Sequence, residues 1–287
     1  MLLTRKTFFL LFLPTLVCIG FYLTVAGHGI YWTLTNWTLT RPGSMDEFIG
    51  LENYRRLFTD TVFIDALWKT VLFYLIVTNA TVWLAAVIAY YFYRVRPSSL
   101  ILGAFLIPSI IAPMSSALSF YLSFTADVKG FMNMILKALN LQPIPFLQIS
   151  WVAYLILCLA SIWRWLPLIT LYLYTRMSLI PKEVLEQSEI DGAGDFYRFS
   201  RIVIPISFPS LVFSVFLLTV MLNLFSLEDL HGITMGGPGH ATTLIAFYGS
   251  MKGINSPMIA YALTISFFPI FINFALLVIL LKLMGEV

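Results

Sequence analysis

Six stretches of this chain run for about 20 residues or more with almost no charge, and that repetition restricts the fold more than any other feature. A run of that length crosses a hydrocarbon core as a helix, because each backbone N–H and C=O must find its partner within its own segment there. The runs cover residues 7–31, 70–93, 98–124, 149–175, 204–227 and 254–281. The expected fold is therefore all-α, one membrane bundle of six transmembrane helices over residues 1–287. With 60% hydrophobic and 11% charged residues the chain cannot be a soluble domain of this size. Thr7 to Ala26 is charge-free after Arg5 and Lys6. A cleaved signal peptide competes with a retained first helix there, but the run is long and has no clear small-x-small cleavage site. Pro108 and Pro113 interrupt the third run, Pro205 and Pro209 bend the fifth, and Pro257 and Pro269 fall in the sixth. Prolines are tolerated in a packed bundle where neighbours re-satisfy the freed carbonyls. Residues 127–149 read as an outer loop, with Pro143 and Pro145 blocking a long helix.

A dense group of charges lies between two of these runs in residues 181–205, PKEVLEQSEIDGAGDFYRFSRIVIP. Pro181 suits the start of a helix, and Val184, Leu185 and Ser188 recur on one face of it. Glu183, Glu186, Glu189 and Asp191 leave the other face to water. Gly192 and Gly194 end the piece. Asp195 can cap a second piece carrying Phe196, Phe199, Ile202 and Val203. Taken alone, this is a solvated loop between two membrane helices.

Its spacing resembles the cytoplasmic loop of the inner-membrane permease subunits of binding-protein-dependent ABC importers. The family pattern is Glu-Ala-Ala, three residues, Gly, nine residues, then Ile-x-Leu-Pro; here stand Glu186-Gln187-Ser188, Gly192 and Ile202-Val203-Ile204-Pro205 at the same intervals. Gln187, Ser188 and Ile204 depart from the pattern, whereas Asp191-Gly192-Ala193 matches the usual Asp-Gly-Ala. Three further elements resemble the maltose and sn-glycerol-phosphate type of carbohydrate permease. They are Gly50-Leu51-Glu52-Asn53-Tyr54-Arg55-Arg56-Leu57-Phe58, Trp163-Arg164-Trp165-Leu166-Pro167, and Thr234-Met235-Gly236-Gly237-Pro238 followed by Thr242. Glu228 stands where that family usually has Asp.

The resemblance implies a permease subunit for a sugar or related solute, in the cell membrane with both termini cytoplasmic. It pairs with a sister permease, as a heterodimer or with itself, and with two ATPase subunits and an extracellular solute-binding protein. It implies an ATPase-coupling role for Glu183, Glu186, Gln187, Ser188, Asp191, Gly192, Ala193 and Pro205. It also implies a loop facing the binding protein at Glu228, Thr234, Gly236, Gly237 and Pro238. Lys and Arg counted by side give nine with the coupling loop and seven opposite, the direction expected of an inside face.

Chemistry within the chain is sparse. There is no Gly-x-x-x-x-Gly-Lys loop, so ATP and Mg belong to a separate ATPase chain and no cofactor is expected here. His28, His231 and His240 are scattered, no metal site is indicated, and Cys18 and Cys158 lie apart in apolar runs. A net charge of +3 is too small to imply nucleic-acid binding. No catalytic set is expected. Arg164 is the one charge deep in an expected span, costing about 3 kcal/mol at a helix centre, so it lines a path, braces a gate or is a structural arginine. All Asp and Glu residues are expected in loops or at span ends, which argues against a proton relay. Candidates for a sugar path are Arg164, Trp163, Tyr121, Asn223, Ser266 and Asn273, with Asn79 and Ser116. A phosphorylated glycerol drawn by Arg164 is an alternative solute, and a stand-alone secondary carrier an alternative class.

Overall fold

A computed structural model describes residues 5–127 and 130–285; Lys129, one of the charges counted above, lies outside them. In chain order the helices are α1 (Arg5–Thr33), α2 (Glu52–Leu57), α3 (Thr61–Val95), α4 (Ser99–Phe105), α5 (Ile107–Ile110), α6 (Pro113–Phe124), α7 (Phe131–Ala138), α8 (Ser150–Met177), α9 (Lys182–Ile190), α10 (Asp195–Arg198), α11 (Ile204–Ile233), α12 (Ile245–Asn255) and α13 (Ile259–Gly285). The chain is an all-α membrane protein. Among the described residues, five helical stretches are long and apolar enough to cross a membrane: Thr15–Thr33, Thr61–Val95, Ser150–Met177, Asp195–Ile233 and Ile259–Lys282.

The expected third span is not one helix. It is divided into α4, α5 and α6: α4 and α5 meet at Leu106, which keeps helical angles, and α5 and α6 are parted by Ile111 and Ala112, which are extended, with ψ of 135° and 131°. Pro113 drives its predecessor out of the helical region and then starts α6 with no N–H to leave unpaired. The fifth expected span also differs. A π-type turn over Phe199–Val203 leads into α11, and α11 runs beyond residue 227 to Ile233, taking in Glu228 and Asp229. The stretch expected at 254–281 is interrupted near its start, where α12 ends at Asn255 and α13 begins after Pro257.

Two compact units divide the chain: residues 1–64 with 248–268, and residues 65–247 with 269–287. In the first, Asn53 closes the Gly-Leu-x-Asn-Tyr element. Its buried amide donates to the carbonyls of Thr33 and Thr35, 2.8 and 2.9 Å away, and so ties α2 to the end of α1. Asp60 caps α3 by accepting from the N–H groups of Val62 and Phe63, and it also accepts from the hydroxyls of Tyr248 and Tyr261. Burial alone would push its carboxyl up. The tyrosine hydroxyls and the two N–H groups outweigh that and hold it below the ordinary carboxylate value.

In the second unit α11 packs against α6 and α8. The buried stripe of α11 is Ser207, Ser210, Ser214, Leu218, Leu222, Ser226, Asp229 and Ile233, a helical repeat opened by three serines. Small side chains allow close approach of membrane helices. The same holds at Gly232, where an added Cβ would lie 2.4 Å from that of Ala117 on α6. On α8 the matching stripe runs through Ala153, Leu157, Ala160, Ser161, Arg164 and Leu173.

Candidate functional site

The coupling-loop residues form a folded hairpin. Helix α9 ends in a Schellman closure, with the Ala193 N–H on the Ser188 carbonyl at 2.9 Å and the Gly192 N–H on the Glu189 carbonyl at 3.1 Å. This closure requires a left-handed residue, and Gly192 has φ +79°. A side chain there would meet nothing, so its restriction is one of backbone angle rather than space. Ser188, the departure from alanine, is small, buried, and donates to the Leu185 carbonyl at 2.7 Å.

Arg198 holds the hairpin shut, reaching Glu189 of α9 at 3.2 Å and Asp195 of α10 at 2.7 Å. Asp195 also pairs with Arg94 at the end of α3. Glu183, Glu186, Gln187 and Asp191 are exposed, as is Pro205 at the start of α11. Among these charges stand exposed apolar side chains: Leu179, Ile190, Phe196 and Tyr197. The outcome is an acidic hairpin with greasy tips, braced on the ends of α3 and α11.

Arg164 is in a different setting. Both it and Asp229 are 2% exposed, and they form an ion pair between α8 and α11. The same guanidinium nitrogen donates to the Pro113 carbonyl at 3.1 Å and to Ser116 Oγ at 2.5 Å. Ser161 Oγ donates to the other carboxylate oxygen of Asp229 at 3.2 Å, and Ser109 Oγ to the Arg164 carbonyl at 2.5 Å. Asp229 overturns the expectation that every carboxylate stands in a loop or at a span end. The two charges end the apolar run at 227 but not the helix, which closes only where Thr234 and Met235 donate back to the Leu230 carbonyl. The signal for Asp229 was the lone cation in an apolar helix, which demands a counter-charge.

The Gly-Gly-Pro turn follows α11 directly. Met235 and Gly236 have φ of 49° and 80°, and a Cβ on Gly236 would strike Phe247 and Thr243, each at 2.8 Å. Thr242 Oγ1 ties Thr234 Oγ1 at 2.7 Å and the Gly237 carbonyl at 2.9 Å, while the peptide before Pro238 is cis. Glu228 is not on this turn; it lies within α11 with one carboxylate oxygen buried and unpartnered.

The path candidates are scattered. Arg164 and Ser116 meet. Trp163 packs edge-on against Phe120, 5.7 Å between ring centres, and Tyr121 is exposed on α6. Asn223 is half-buried on α11, Asn273 has a buried carbonyl oxygen with no partner, and Asn79 donates to the Leu75 carbonyl of its own helix. Ser266 belongs to the other unit and donates to the Ala262 carbonyl. No group of three or more metal-ligating side chains occurs among the described residues.

No protein-family model matches the chain. It is 31% identical over 224 residues to the sulfoquinovosyl glycerol transport system permease protein SmoG of Agrobacterium fabrum, covering 76% of this chain and 70% of that one. It is 29% identical over 252 residues to the sn-glycerol-3-phosphate transport system permease protein UgpA of Pectobacterium atrosepticum, covering 83% and 80%. A bacterial ABC transporter involved in the import of the acidic polysaccharide alginate superposes with a TM-score of 0.81 at 16% identity, covering 98% of this chain and 95% of that one. A bacterial alginate ABC transporter in complex with an alginate pentasaccharide-bound periplasmic protein gives a TM-score of 0.77 at 16% identity, covering 95% and 92%. Fold and hairpin thus define a helical membrane permease subunit. The chain belongs to the carbohydrate-uptake family of binding-protein-dependent ABC importer permeases.

Proposed function

We propose that this permease carries a sugar or sugar-like polyol through the cell membrane by alternating access, driven by two ATPase subunits docked on residues 181–205. The hairpin carries the proposal: α9 closed by Gly192 and braced by Arg198 and Arg94, with Leu179, Ile190, Phe196 and Tyr197 exposed beside Glu183, Glu186, Gln187 and Asp191. An exposed apolar set ringed by charge is what a docking surface needs. ATP and Mg bind the ATPases; this chain supplies the lever, from Ser188 and Ala193 through Pro205 into α11. In this reading the hairpin and both termini are cytoplasmic, and the broken third stretch, α4 to α6, is the sixth crossing. A sister permease, forming a heterodimer, completes the path. The turn at Thr234, Gly236, Gly237 and Pro238 faces a solute-loaded external binding protein, as the periplasmic partner of the alginate importer suggests.

Sulfoquinovosyl glycerol and sn-glycerol-3-phosphate, which name the two relatives, are polyols bearing an anion. The Arg164 charge is already matched by Asp229, so nothing in that pair favours an anionic solute over a neutral one. Trp163, Tyr121, Asn223, Ser266 and Asn273 remain the candidates on this chain for contact with solute.

The test is uptake by the co-expressed complex. Glu186→Lys and Gly192→Asp are expected to abolish uptake with membrane insertion intact. Full uptake by both variants removes the coupling role. Purification without any ATPase, with solute transport by the chain alone in liposomes, replaces the importer with a secondary carrier.

A further inference from the structure

The break in the third stretch and the buried ion pair stand at one place in the second unit. On one side of the extended residues Ile111 and Ala112, Ser109 of α5 donates to the Arg164 carbonyl. On the other, Pro113 and Ser116 of α6 accept from the Arg164 guanidinium. Asp229 of α11 holds that guanidinium in place. A break within a span is where it bends most cheaply, because the helical ladder is already interrupted, and its loose carbonyls need partners from neighbouring helices. Helices α8 and α11 are cross-linked a second time, nearer the hairpin, by Arg176 Nε on Ser210 Oγ at 3.2 Å. Both helices adjoin the hairpin, α8 entering it and α11 leaving it.

We propose that Asp229 is a positioning residue for transport: it fixes Arg164 as a clasp across the break at Ile111–Ala112, so that movement of the α8–α11 pair is delivered to α6. The proposal rests on the coupling role given above to residues 181–205. It has a specific chemical consequence. One nitrogen, Nη2, serves the three acceptors Pro113, Ser116 and Asp229, whereas Nε and Nη1 are buried without partners. Nη2 has two protons for those three acceptors, while a lysine ammonium has three. Arg164→Lys therefore keeps the clasp, and Arg164→Gln, shorter and uncharged, cannot form the ion pair and opens it.

The experiment uses the complex with its ATPases and binding protein in liposomes, reading uptake and ATP hydrolysis together. Asp229→Asn and Arg164→Gln are expected to lower uptake roughly tenfold while hydrolysis stays within about twofold of the parent, so that solute moved per ATP falls. Arg164→Lys is expected to keep most of the uptake. Exchanging the charges, Arg164→Asp with Asp229→Arg, restores a salt bridge but leaves nothing at 164 to donate to Pro113, so uptake stays low. Recovery by the exchange would overturn the clasp and leave only a structural ion pair. Loss of hydrolysis together with uptake would also overturn it, placing the fault in ATPase docking, whereas normal uptake by Glu186→Lys and Gly192→Asp would defeat the hairpin reading instead. If Asp229→Asn does not assemble, Arg164→Lys decides the matter, since uptake as low as that of Arg164→Gln refutes the geometry.

Discussion

The hairpin and the clasp use the same chemistry, arginine against carboxylate, in opposite surroundings. In the hairpin the Arg94 and Asp195 side chains are 44% and 54% exposed and Glu189 is 65% exposed, so that even Arg198, 11% exposed, faces carboxylates open to water. In the clasp both partners are 2% exposed. Exposed pairs contribute about 0–1 kcal/mol, because water screens them and long side chains lose freedom. A buried pair gains little over an apolar replacement of both partners, yet removing one partner strands a charge at a cost of about 3–5 kcal/mol. The difference teaches that charge at the hairpin is suited to reversible contact with another protein. Charge at the clasp enforces one arrangement of α6, α8 and α11.

The largest expected effect is at the clasp. Asp229→Leu leaves Arg164 buried with no counter-charge and is expected to cost about 3–5 kcal/mol, read as a lowered thermal midpoint in detergent. Adding Arg164→Met to it should return most of that loss, since both charges are then gone. A double variant no more stable than the single one would erase the contrast between the two regions.

Asp60 offers an intermediate case, a half-buried carboxylate satisfied by hydroxyls and N–H groups rather than by a cation. Its pKa in the folded protein is lowered from 3.8, so the folded state binds that proton less readily than the unfolded one. The stabilisation is then fully present above the ordinary carboxylate value and is lost as pH falls through the lowered one. Asp60→Asn should flatten the acid limb of a stability–pH curve below about pH 4, with a loss that is largest and pH-independent in the neutral region and shrinks as pH falls. An unchanged acid limb would show that Asp60 is not the group responsible.

The smallest effect belongs to the hairpin. Arg94→Ala is expected to change stability by no more than about 1 kcal/mol, and the loss should vanish as salt is raised. A large loss, insensitive to salt, would mean that the hairpin is held as the clasp is and would collapse the comparison.

These two regions were also unequally legible. The hairpin could be read from residues next to one another: Pro181 opening a helix, Gly192 closing it, Glu186 and Pro205 at fixed intervals. The closure is local, since its hydrogen bonds join residues three to five apart. The clasp joins positions 164 and 229, 65 residues apart, and no periodicity marks such a pairing. Asp229 was hidden further because its charge, with that of Glu228, ends an apolar run while the backbone continues as helix. The Gly-Leu-x-Asn-Tyr element lies between these cases. Asn53 was noticed for its motif, but its bonds to Thr33 and Thr35 came only with the folded chain.

The sequence by itself determined that this is an all-α membrane protein with an acidic hairpin between two long apolar helices. Length of apolar run and local turn chemistry are sufficient for that, as both act over a few residues. Pro113 already marked the break in the third stretch, a local effect on the residue before it, whereas tertiary structure alone decided how far α11 extends and which carboxylate meets Arg164. Those outcomes depend on which side chains face one another once the helices pack, and a buried charge accepts whatever partner that packing brings within reach.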